Sequence, residues 1–326
     1  MLPTRILATA SALPAGVVTT AELAERIGID PERAVRATGV RERRWVEPGE
    51  DPLRYGARAL TDALTAAGLR IDQLDLLIHA SGGTPQPIPD GSAHLAELTG
   101  FRGGQAFSVH STCVSALVGM HQAALQIATG QVRSAAVVSC EASSRGLDLT
   151  DPESSLLFGD GAAAVILGPA EREGQGIVRY LAQMWPEGAA ATEIRAGGYR
   201  SFRPAPGDDL RDYAFRMDGK HALKLAHTRV PPFLEQLRTG LSTSLEGIDR
   251  VIPHQTSAAG MTLLRRYGWP EEKIETTLEH LGNVVAASIP LTLHQALEQG
   301  RVTGGDQVLL VGTGAGLTTT GMVLSW

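Results

Sequence analysis

The second half of the sequence repeats the plan of the first, and this repeat constrains the fold more than any other feature. The segments "QLDLLIHASG" (73–82) and "GIDRVIPHQTS" (247–257) both read as an acidic turn, an apolar strand and a polar loop. The segments "VGMHQAALQIATGQV" (118–132) and "LTLHQALEQGRV" (291–302) both place His-Gln-Ala at the same point of a helical pattern. Alternating strands and helices of this kind are typical of an α/β protein.

A third similarity closes each half, because both halves end in two apolar strands. "AAVVSC" followed by "GDGAAAVILG" (159–168) corresponds to "DQVLLVGTGAGLTTTGMVLSW" (306–326). A strand that is apolar throughout, such as 161–167, is expected to be covered on both faces. Three similarities in the same order predict two βα-rich halves, which we place at residues 1–170 and 171–326.

The composition limits the class of protein and its partners. Of the 326 residues, 43% are hydrophobic and 20% are charged, as in soluble globular chains. The net charge of −6 argues against a nucleic-acid partner but leaves room for a local basic patch. Two cysteines fit a reducing compartment better than a disulfide scaffold. No run reaches the ~18 apolar residues of a membrane helix, and residues 1–16 read as a strand and turn rather than a signal peptide. We therefore expect a cytoplasmic protein without a membrane partner.

Five further stretches carry expectations about secondary structure. Helical patterns cover 20–38, 54–68 and about 218–240, and "GIVRYLAQMW" (176–185) reads as a strand. The stretch "PEGAAATEIRAGGYRSFRPAPGDD" (186–209) is rich in Gly, Pro and Arg and has no clear period. It is either a solvated excursion or a cap over a pocket, since long irregular segments inside compact folds are often functional.

Cys113 lies in "HSTCVSAL", just before a helical pattern over 114–129. A free cysteine is often a buried core residue, which is the simpler interpretation. A thiol at a helix N-terminus, however, has a lowered pKa and acts as a nucleophile. Cys140 ends an apolar strand, and we interpret it as a core residue.

A cysteine nucleophile needs partners from elsewhere in the chain. His254 follows an apolar strand, where α/β folds present functional groups, and Asn283 lies in a Gly-Asn loop before another helix. Taken alone, each also fits an ordinary loop or turn residue. The remaining histidines show no metal-ligand spacing, so we expect no metal and no cofactor.

Six ordered motifs carry a family resemblance. They are "TGVRERRW" (38–45), "STCVSAL" (111–117), "FGDGAAAVIL" (158–167), "PHQ" (253–255), "GNVVAASIP" (282–290) and "GTGAGLTTTG" (312–321). With them the chain resembles thiolase-fold condensing enzymes and is most similar to the β-ketoacyl-acyl-carrier-protein synthase III family. The resemblance implies a layered α-β-α-β-α fold and a homodimer. It covers the chain from the first strand to the last residue.

The resemblance also implies roles for individual residues. Cys113 would accept an acyl group as a thioester, and His254 and Asn283 would bind the carbonyl of a malonyl thioester during its decarboxylation. The backbone N–H groups of Cys113 and Ala315 would hold the oxyanion formed when the resulting carbanion attacks. The glycine loop that contributes to this site consists of Gly314, Ala315 and Gly316.

Substrate-binding residues are implied with less detail. Phe158 belongs to one of the motifs, and Ile88 in "PQPIPDGSA" (85–93) falls where the family places an apolar pocket residue that crosses the dimer interface. Arg33 stands near the position of an adenine-binding Trp, and the early Arg after His254 is missing. These departures predict a specialised relative, in fatty-acid or secondary-metabolite synthesis, that takes its acyl donor from a carrier protein rather than from free coenzyme A. The basic rim expected to steer an acidic carrier comprises Arg36, Arg41, Arg43, Arg44, Arg265 and Arg266.

Other functions stay open at this point. The same Cys113 thioester could pass its acyl group to a hydroxyl, an amine or a carrier thiol without condensation. An inactive partner subunit is a remote alternative, because such subunits usually lose the nucleophile. "GTGAGL" also resembles a dinucleotide-binding loop, but only ten residues follow Gly316 and no βαβ unit can be completed there.

Overall fold

The structure, a computed structural model, describes residues 1–238 and 247–326. Its strands are β1 (Thr4–Ala12), β2 (Val17–Thr19), β3 (Glu42–Arg44), β4 (Leu76–His79), β5 (Gln105–Ser108), β6 (Ala135–Ala142), β7 (Asp160–Pro169), β8 (Gly176–Gly188), β9 (Thr192–Glu193), β10 (Arg216–Met217), β11 (Arg250–Pro253), β12 (Gln307–Gly314) and β13 (Gly316–Ser325). Its helices are α1 (Thr20–Arg26), α2 (Pro31–Thr38), α3 (Leu53–Ala66), α4 (Gly91–Thr99), α5 (Ser115–Ala128), α6 (Gly219–Arg238), α7 (Ala258–Arg265), α8 (Leu278–Leu281) and α9 (Ser288–Glu298).

Two mixed sheets with the same strand order form the frame of the molecule. The first has the order β1-β7-β6-β4-β5, and the second has the order β8-β13-β12-β11. In both, the first three strands are antiparallel neighbours, and the strand after them pairs in parallel. The repeat in the sequence therefore corresponds to two similar sheets, with β5 added to the first.

Helices cover both faces of each sheet and give five layers. One core cluster joins α3 and α4 to the outer face of the first sheet, and another joins α6 and α7 to the outer face of the second. A third cluster lies between the sheets, around α5 and α9. Along β7, Val165 belongs to the central cluster and its neighbours Ala164 and Ile166 to the outer one, as the two-residue period of a strand requires. The predicted α-β-α-β-α layering is confirmed.

The two His-Gln-Ala segments lie on the two central helices. His121 of α5 stacks on Tyr180 of β8, with ring centroids 3.7 Å apart. His294 of α9 lies 3.0 Å from the hydroxyl of Thr9 in β1. Each central helix thus contacts the edge strand of the opposite sheet through its histidine, which gives a physical reason for the similarity between the two segments.

Two predicted helices differ from the structure at their bounds. The pattern over 20–38 is two helices, because Gly28 adopts a positive φ of 70° and Asp30 caps a new helix that begins at Pro31. The helix expected at about 218–240 is α6, and its last two predicted residues lie outside the described residues. Within the described ranges, no helix has the length and apolar character needed to cross a membrane.

Candidate active site

The candidate residues follow the carboxyl ends of parallel strands from both sheets. Strands β4, β5 and β6 are parallel in the first sheet, as are β11 and β12 in the second. Cys113 follows β5, His254 directly follows β11, and Gly314 ends β12. Ligands of α/β proteins usually bind at this end of the strands.

One cavity of about 1340 Å³ brings the predicted residues together. Cys113, His254 and Asn283 all line it, and so do Phe158 and the glycine loop 314–316. The chain thus places one thiol, one imidazole and one carboxamide around a shared space large enough for an acyl thioester.

The turn that carries Cys113 is held tightly against the glycine loop. Thr112 has a positive φ of 49°, and the backbone N–H of Ser111 donates to the Ser115 hydroxyl at 2.8 Å. A Cβ on Gly314 would lie 2.3 Å from the Thr112 hydroxyl and 3.4 Å from the backbone nitrogen of Cys113. Only glycine permits this approach, because any side chain at position 314 would collide with the turn.

Burial controls the charge state of the Cys113 thiol. The backbone N–H groups of Ala315 and of Cys113 itself favour the thiolate, but burial and the nearby Glu141 carboxylate outweigh them and raise the pKa of Cys113 to about 12. The lowered pKa expected from a helix N-terminus is therefore wrong, since α5 begins only at Ser115 and desolvation dominates. The resting thiol is protonated at pH 7.

His254 is buried and neutral. Its backbone N–H donates to the carbonyl of Val311 at 2.8 Å, and burial lowers the pKa of the imidazole to about 4. Its Nδ1 has no hydrogen-bond partner among the residues that the structure describes. A Cβ on Gly312 would lie 2.8 Å from the His254 Cβ and 3.2 Å from a methyl group of Val114, so this glycine lets the histidine strand approach the cysteine turn.

Asn283 is fixed by its backbone and by one side-chain oxygen. Its N–H donates to the carbonyl of Leu157 at 2.9 Å, and its own carbonyl accepts from Gly159 at 3.1 Å. The Asn283 Oδ1 accepts the N–H of Val285 at 2.9 Å. This arrangement orients the carboxamide and leaves its NH₂ group available as a donor.

The other predicted residues are placed less uniformly. Phe158 is buried beside Asn283 and makes an edge-to-face contact with Phe215, with ring centroids 4.8 Å apart. Arg36 is exposed and paired with Glu32, next to the lining residue Ala37 but not itself in the cavity wall. Ile88 is 84% exposed and does not line the cavity of its own chain.

Arg43 is wrongly assigned to the basic rim. It is fully buried, and its guanidinium donates to the carbonyl of Leu156 at 2.6 Å and to the hydroxyl of Thr20 at 3.0 Å. A Cβ on Gly159 would lie 3.2 Å from the Arg43 Cβ, so the arginine packs beside the backbone that pairs with Asn283. Its role is structural.

Comparisons with known proteins agree with these motifs. The family profile described as 3-oxoacyl-[acyl-carrier-protein (ACP)] synthase III matches residues 107–184, and the profile for the C-terminal part of that synthase matches residues 240–326. The β-ketoacyl-[acyl-carrier-protein] synthase III of Rhizobium meliloti is 32% identical over 319 residues, which is 97% of each chain. The chain belongs to the 3-oxoacyl-[acyl-carrier-protein] synthase III family.

Solved structures of this family share the whole fold. The 3-oxoacyl-[acyl-carrier-protein] synthase III of Aquifex aeolicus superimposes with a TM-score of 0.90 at 26% identity, over 99% of this chain and 100% of that one. A priming β-ketosynthase from a polyketide biosynthetic pathway gives a TM-score of 0.90 at 27% identity, over 98% of this chain and 95% of that one. The predicted thiolase fold is confirmed.

The irregular segment after β8 lies over the cavity of this synthase III family member. Residues 188–189, 191–194 and 215 are among those that line the cavity. Its two ends are joined by the pairing of β9 with β10 and by an ion pair of Arg195 with Asp212 at 3.8 Å. The first residues of the segment line the cavity as a cap would, whereas residues 202–211 are exposed, as in a solvated excursion.

Two buried polar residues near the site were not predicted. Glu141, at the end of β6, accepts the N–H of Gly82 at 2.6 Å and lines the cavity. Gln255 is fully buried, and its Oε1 accepts the N–H groups of Thr277 at 3.1 Å and Leu278 at 3.2 Å. The sequence feature that could have indicated Gln255 is its position next to His254. For Glu141 it is the presence of a charged residue inside an apolar strand.

Proposed function

We propose that the protein forms carbon–carbon bonds by decarboxylative Claisen condensation of an acyl group with a malonyl thioester. In the first step, the sulfur of Cys113 attacks the carbonyl of an acyl thioester. The donor thiolate leaves and takes up the proton lost by Cys113, so the acyl group is transferred without a change in oxidation state. The protonated resting thiol makes this proton transfer part of the loading step.

In the second step, the malonyl carboxylate leaves as CO₂ and its bonding electrons form an enolate. A neutral imidazole at His254 and the carboxamide of Asn283 donate hydrogen bonds to the enolate oxygen. The enolate carbon then attacks the acyl carbonyl, whose oxygen is held by the N–H groups of Cys113 and Ala315. The Cys113–acyl bond breaks, and the released thiolate takes a proton from solvent.

The observation that carries this proposal is the shared cavity of Cys113, His254 and Asn283, with two backbone N–H groups directed at the sulfur. The test is incubation with an acyl thioester, with and without a malonyl thioester, followed by CO₂ measurement and product mass analysis. Condensation requires CO₂ release and a product lengthened by two carbons. Transfer of the acyl group to an acceptor without CO₂ would instead support a non-condensing acyltransferase.

We infer that the acyl donor arrives on an acidic carrier protein, in fatty-acid or polyketide synthesis. Helices α2 and α7 pack together, and both contribute cavity-lining residues. Arg33, in the first turn of α2, and Arg266, directly after α7, are exposed and form no ion pair with the described residues. Arg33 also stands where an aromatic stack with adenine would be needed, and such a stack contributes roughly 1–3 kcal/mol.

The other rim arginines contribute less than predicted. Ion pairs join Arg36 to Glu32, Arg41 to Glu279, and Arg265 to Glu271, and Arg44 is half-buried. Comparing one acyl group on coenzyme A and on a carrier, at low and high salt, tests the inference. We expect a higher kcat/KM with the carrier and a decrease at high salt. Equal values with no salt effect would contradict it.

We further propose that the protein is a homodimer in a reducing, cytoplasmic environment. Within the described sheets, β5 pairs with β4 alone and presents its other edge outward, a feature that favours pairing with a second strand. The exposed Ile88 lies in the loop between β4 and α4, where it would reach the partner's cavity. Both cysteines are free, as expected where thiols are kept reduced. The boundary between the halves, at residue 170, stays a prediction.

A further inference from the structure

The buried carboxylate of Glu141 lines the cavity together with Cys113, His254 and Asn283. Glu141 is the next-to-last residue of β6 and is only 4% exposed. It lies close enough to Cys113 that its charge raises the pKa of the thiol. A carboxylate buried to this degree needs hydrogen bonds in return for lost hydration.

Backbone N–H groups of two separate loops surround the Glu141 carboxylate. Gly82, in the loop after β4, donates to Glu141 Oε1 at 2.6 Å, and the N–H of Gly83 also points to the carboxylate. The N–H of Ala286, in the turn that directly follows Asn283, also lies near this carboxylate and lowers its pKa. Glu141 therefore ties the loop after β4 to the turn that presents the carboxamide.

That turn adopts a backbone conformation that needs to be held. Val285 has a φ of 44°, a left-handed conformation that is costly for a β-branched residue. The hydrogen bond from the Val285 N–H to the Asn283 side-chain oxygen stabilises this conformation. The Gly82 loop packs closely on the same residue, because a Cβ on Gly82 would lie 2.4 Å from a Val285 methyl group. The Gly82 loop, the Val285 turn and the Glu141 carboxylate thus fit together as one unit.

We infer that Glu141 is a positioning residue for the malonyl half-reaction, because its carboxylate holds the 284–287 turn and so sets the place of the Asn283 carboxamide opposite Cys113. The inference rests on the proposed function. It separates the two half-reactions, since acyl loading needs Cys113 and the two oxyanion N–H groups but not Asn283.

The charge of Glu141 gives a second, independent readout. Three titratable groups interact with this carboxylate: Cys113, Cys140 and Asp160. Burial raises the pKa of Glu141 to about 8, so the carboxyl is ionised in the alkaline range where Cys113 titrates. Replacing the carboxylate by an amide should therefore lower the pKa of Cys113.

The experiment compares the Glu141→Gln and Glu141→Asp variants, both in a Cys140→Ala background so that Cys113 is the single thiol. In the Gln variant, an NH₂ group replaces one acceptor oxygen and faces backbone donors. We expect CO₂ release from a malonyl thioester, measured above pH 8 where the Glu141 carboxyl is ionised, to fall tenfold or more, because small misplacements of a reacting group have effects of this size. Acyl loading, followed by intact mass, should stay within threefold or increase, and alkylation of Cys113 should move to lower pH.

The Asp variant keeps the negative charge, but its side chain is one methylene shorter, so the carboxylate cannot reach the same backbone N–H groups. Its alkylation profile should match that of the parent, while its CO₂ release should lie between the parent and the Gln variant. The matched control is Asp160→Asn, which removes another buried carboxylate whose bonds go to Ser144 and Val46 instead. This control should lower the melting temperature without separating loading from CO₂ release.

The outcomes distinguish this inference from the proposed function. If the parent protein releases no CO₂ from a malonyl thioester, the proposed function fails. If the parent releases CO₂ but the Gln variant loses loading and CO₂ release equally, or loses neither, the positioning role is overturned. If the Gln variant does not fold, an Asp variant with unchanged CO₂ release overturns it as well.

Discussion

Replacing Asn283 by alanine should separate the two half-reactions, and the structure allows the size of the effect to be worked out. The variant removes the NH₂ donor proposed for the enolate oxygen. Loss of one such donor costs about 2.7–4 kcal/mol, or about 10²- to 10³-fold in rate. It also removes the acceptor of the Val285 N–H at 2.9 Å, which leaves a donor unpaired in a left-handed turn.

The second loss acts on stability rather than on chemistry. An unsatisfied buried N–H costs about 1–3 kcal/mol, so Asn283→Ala should also lower the free energy of unfolding. The matched variant Asn283→Asp keeps an oxygen for the Val285 N–H but has no NH₂ group to donate. It should lose decarboxylation to at least the same extent, because its carboxylate also repels the enolate, while retaining more of the stability.

The assay measures three quantities on the same preparations. They are acyl loading of Cys113 by intact mass, CO₂ release from a malonyl thioester, and the denaturant midpoint. We expect loading within threefold of the parent in both variants and CO₂ release reduced at least 10²-fold, as for one lost oxyanion donor. If CO₂ release survives in the Asp variant, the donor role of Asn283 is refuted. If loading collapses with it, Asn283 serves the first step instead.

Three further predictions address neighbouring parts of the site. Labelling by an acyl thioester should disappear in Cys113→Ala and persist in Cys140→Ala, and the opposite pattern would contradict the assignment of the nucleophile. Ile88→Trp should shift the preferred acyl chain to shorter lengths, as read from competing donors, whereas an unchanged preference or a monomer in solution would count against a partner-built pocket. Because burial lowers the pKa of His254 to about 4, its imidazole is neutral above that value. CO₂ release should therefore show no titration near pH 6.5, where an ordinary histidine would lose activity on protonation.

The overall fold was predictable because its main signal is repeated. Each half carries the same order of apolar strands around a helix with His-Gln-Ala, and the structure turns this into two sheets with one strand order. The break between α1 and α2 was missed although its signals are local. Gly28, Asp30 and Pro31 are a helix end, a cap and a first-turn residue, but the apolar period on both sides concealed them.

The charge state of the Cys113 thiol could not be predicted from its neighbours in the chain. The helical pattern after Cys113 suggested a lowered pKa, which is a local argument. Burial of the sulfur and the Glu141 carboxylate act in the other direction, and both depend on packing between β6 and the cysteine turn. The assignment of Arg43 to the basic rim was wrong for the same reason. It is one of three arginines in "RERR", and nothing in that run marks it as buried.

Residues proposed to contact the substrate are easier to recognise in a sequence than the residues that position them. Cys113, His254 and Asn283 lie in loops after apolar segments, where a polar side chain stands out and invites a functional interpretation. Glu141 and Gln255 bind mainly backbone groups of other loops, and those partners carry no side-chain signature. Such positioning residues become visible only when the two sheets bring the ends of β4, β6, β11 and β12 to one cavity. A polar residue inside an apolar strand is then the one sequence signal that remains, and at Glu141 it marks the point where the loops are joined.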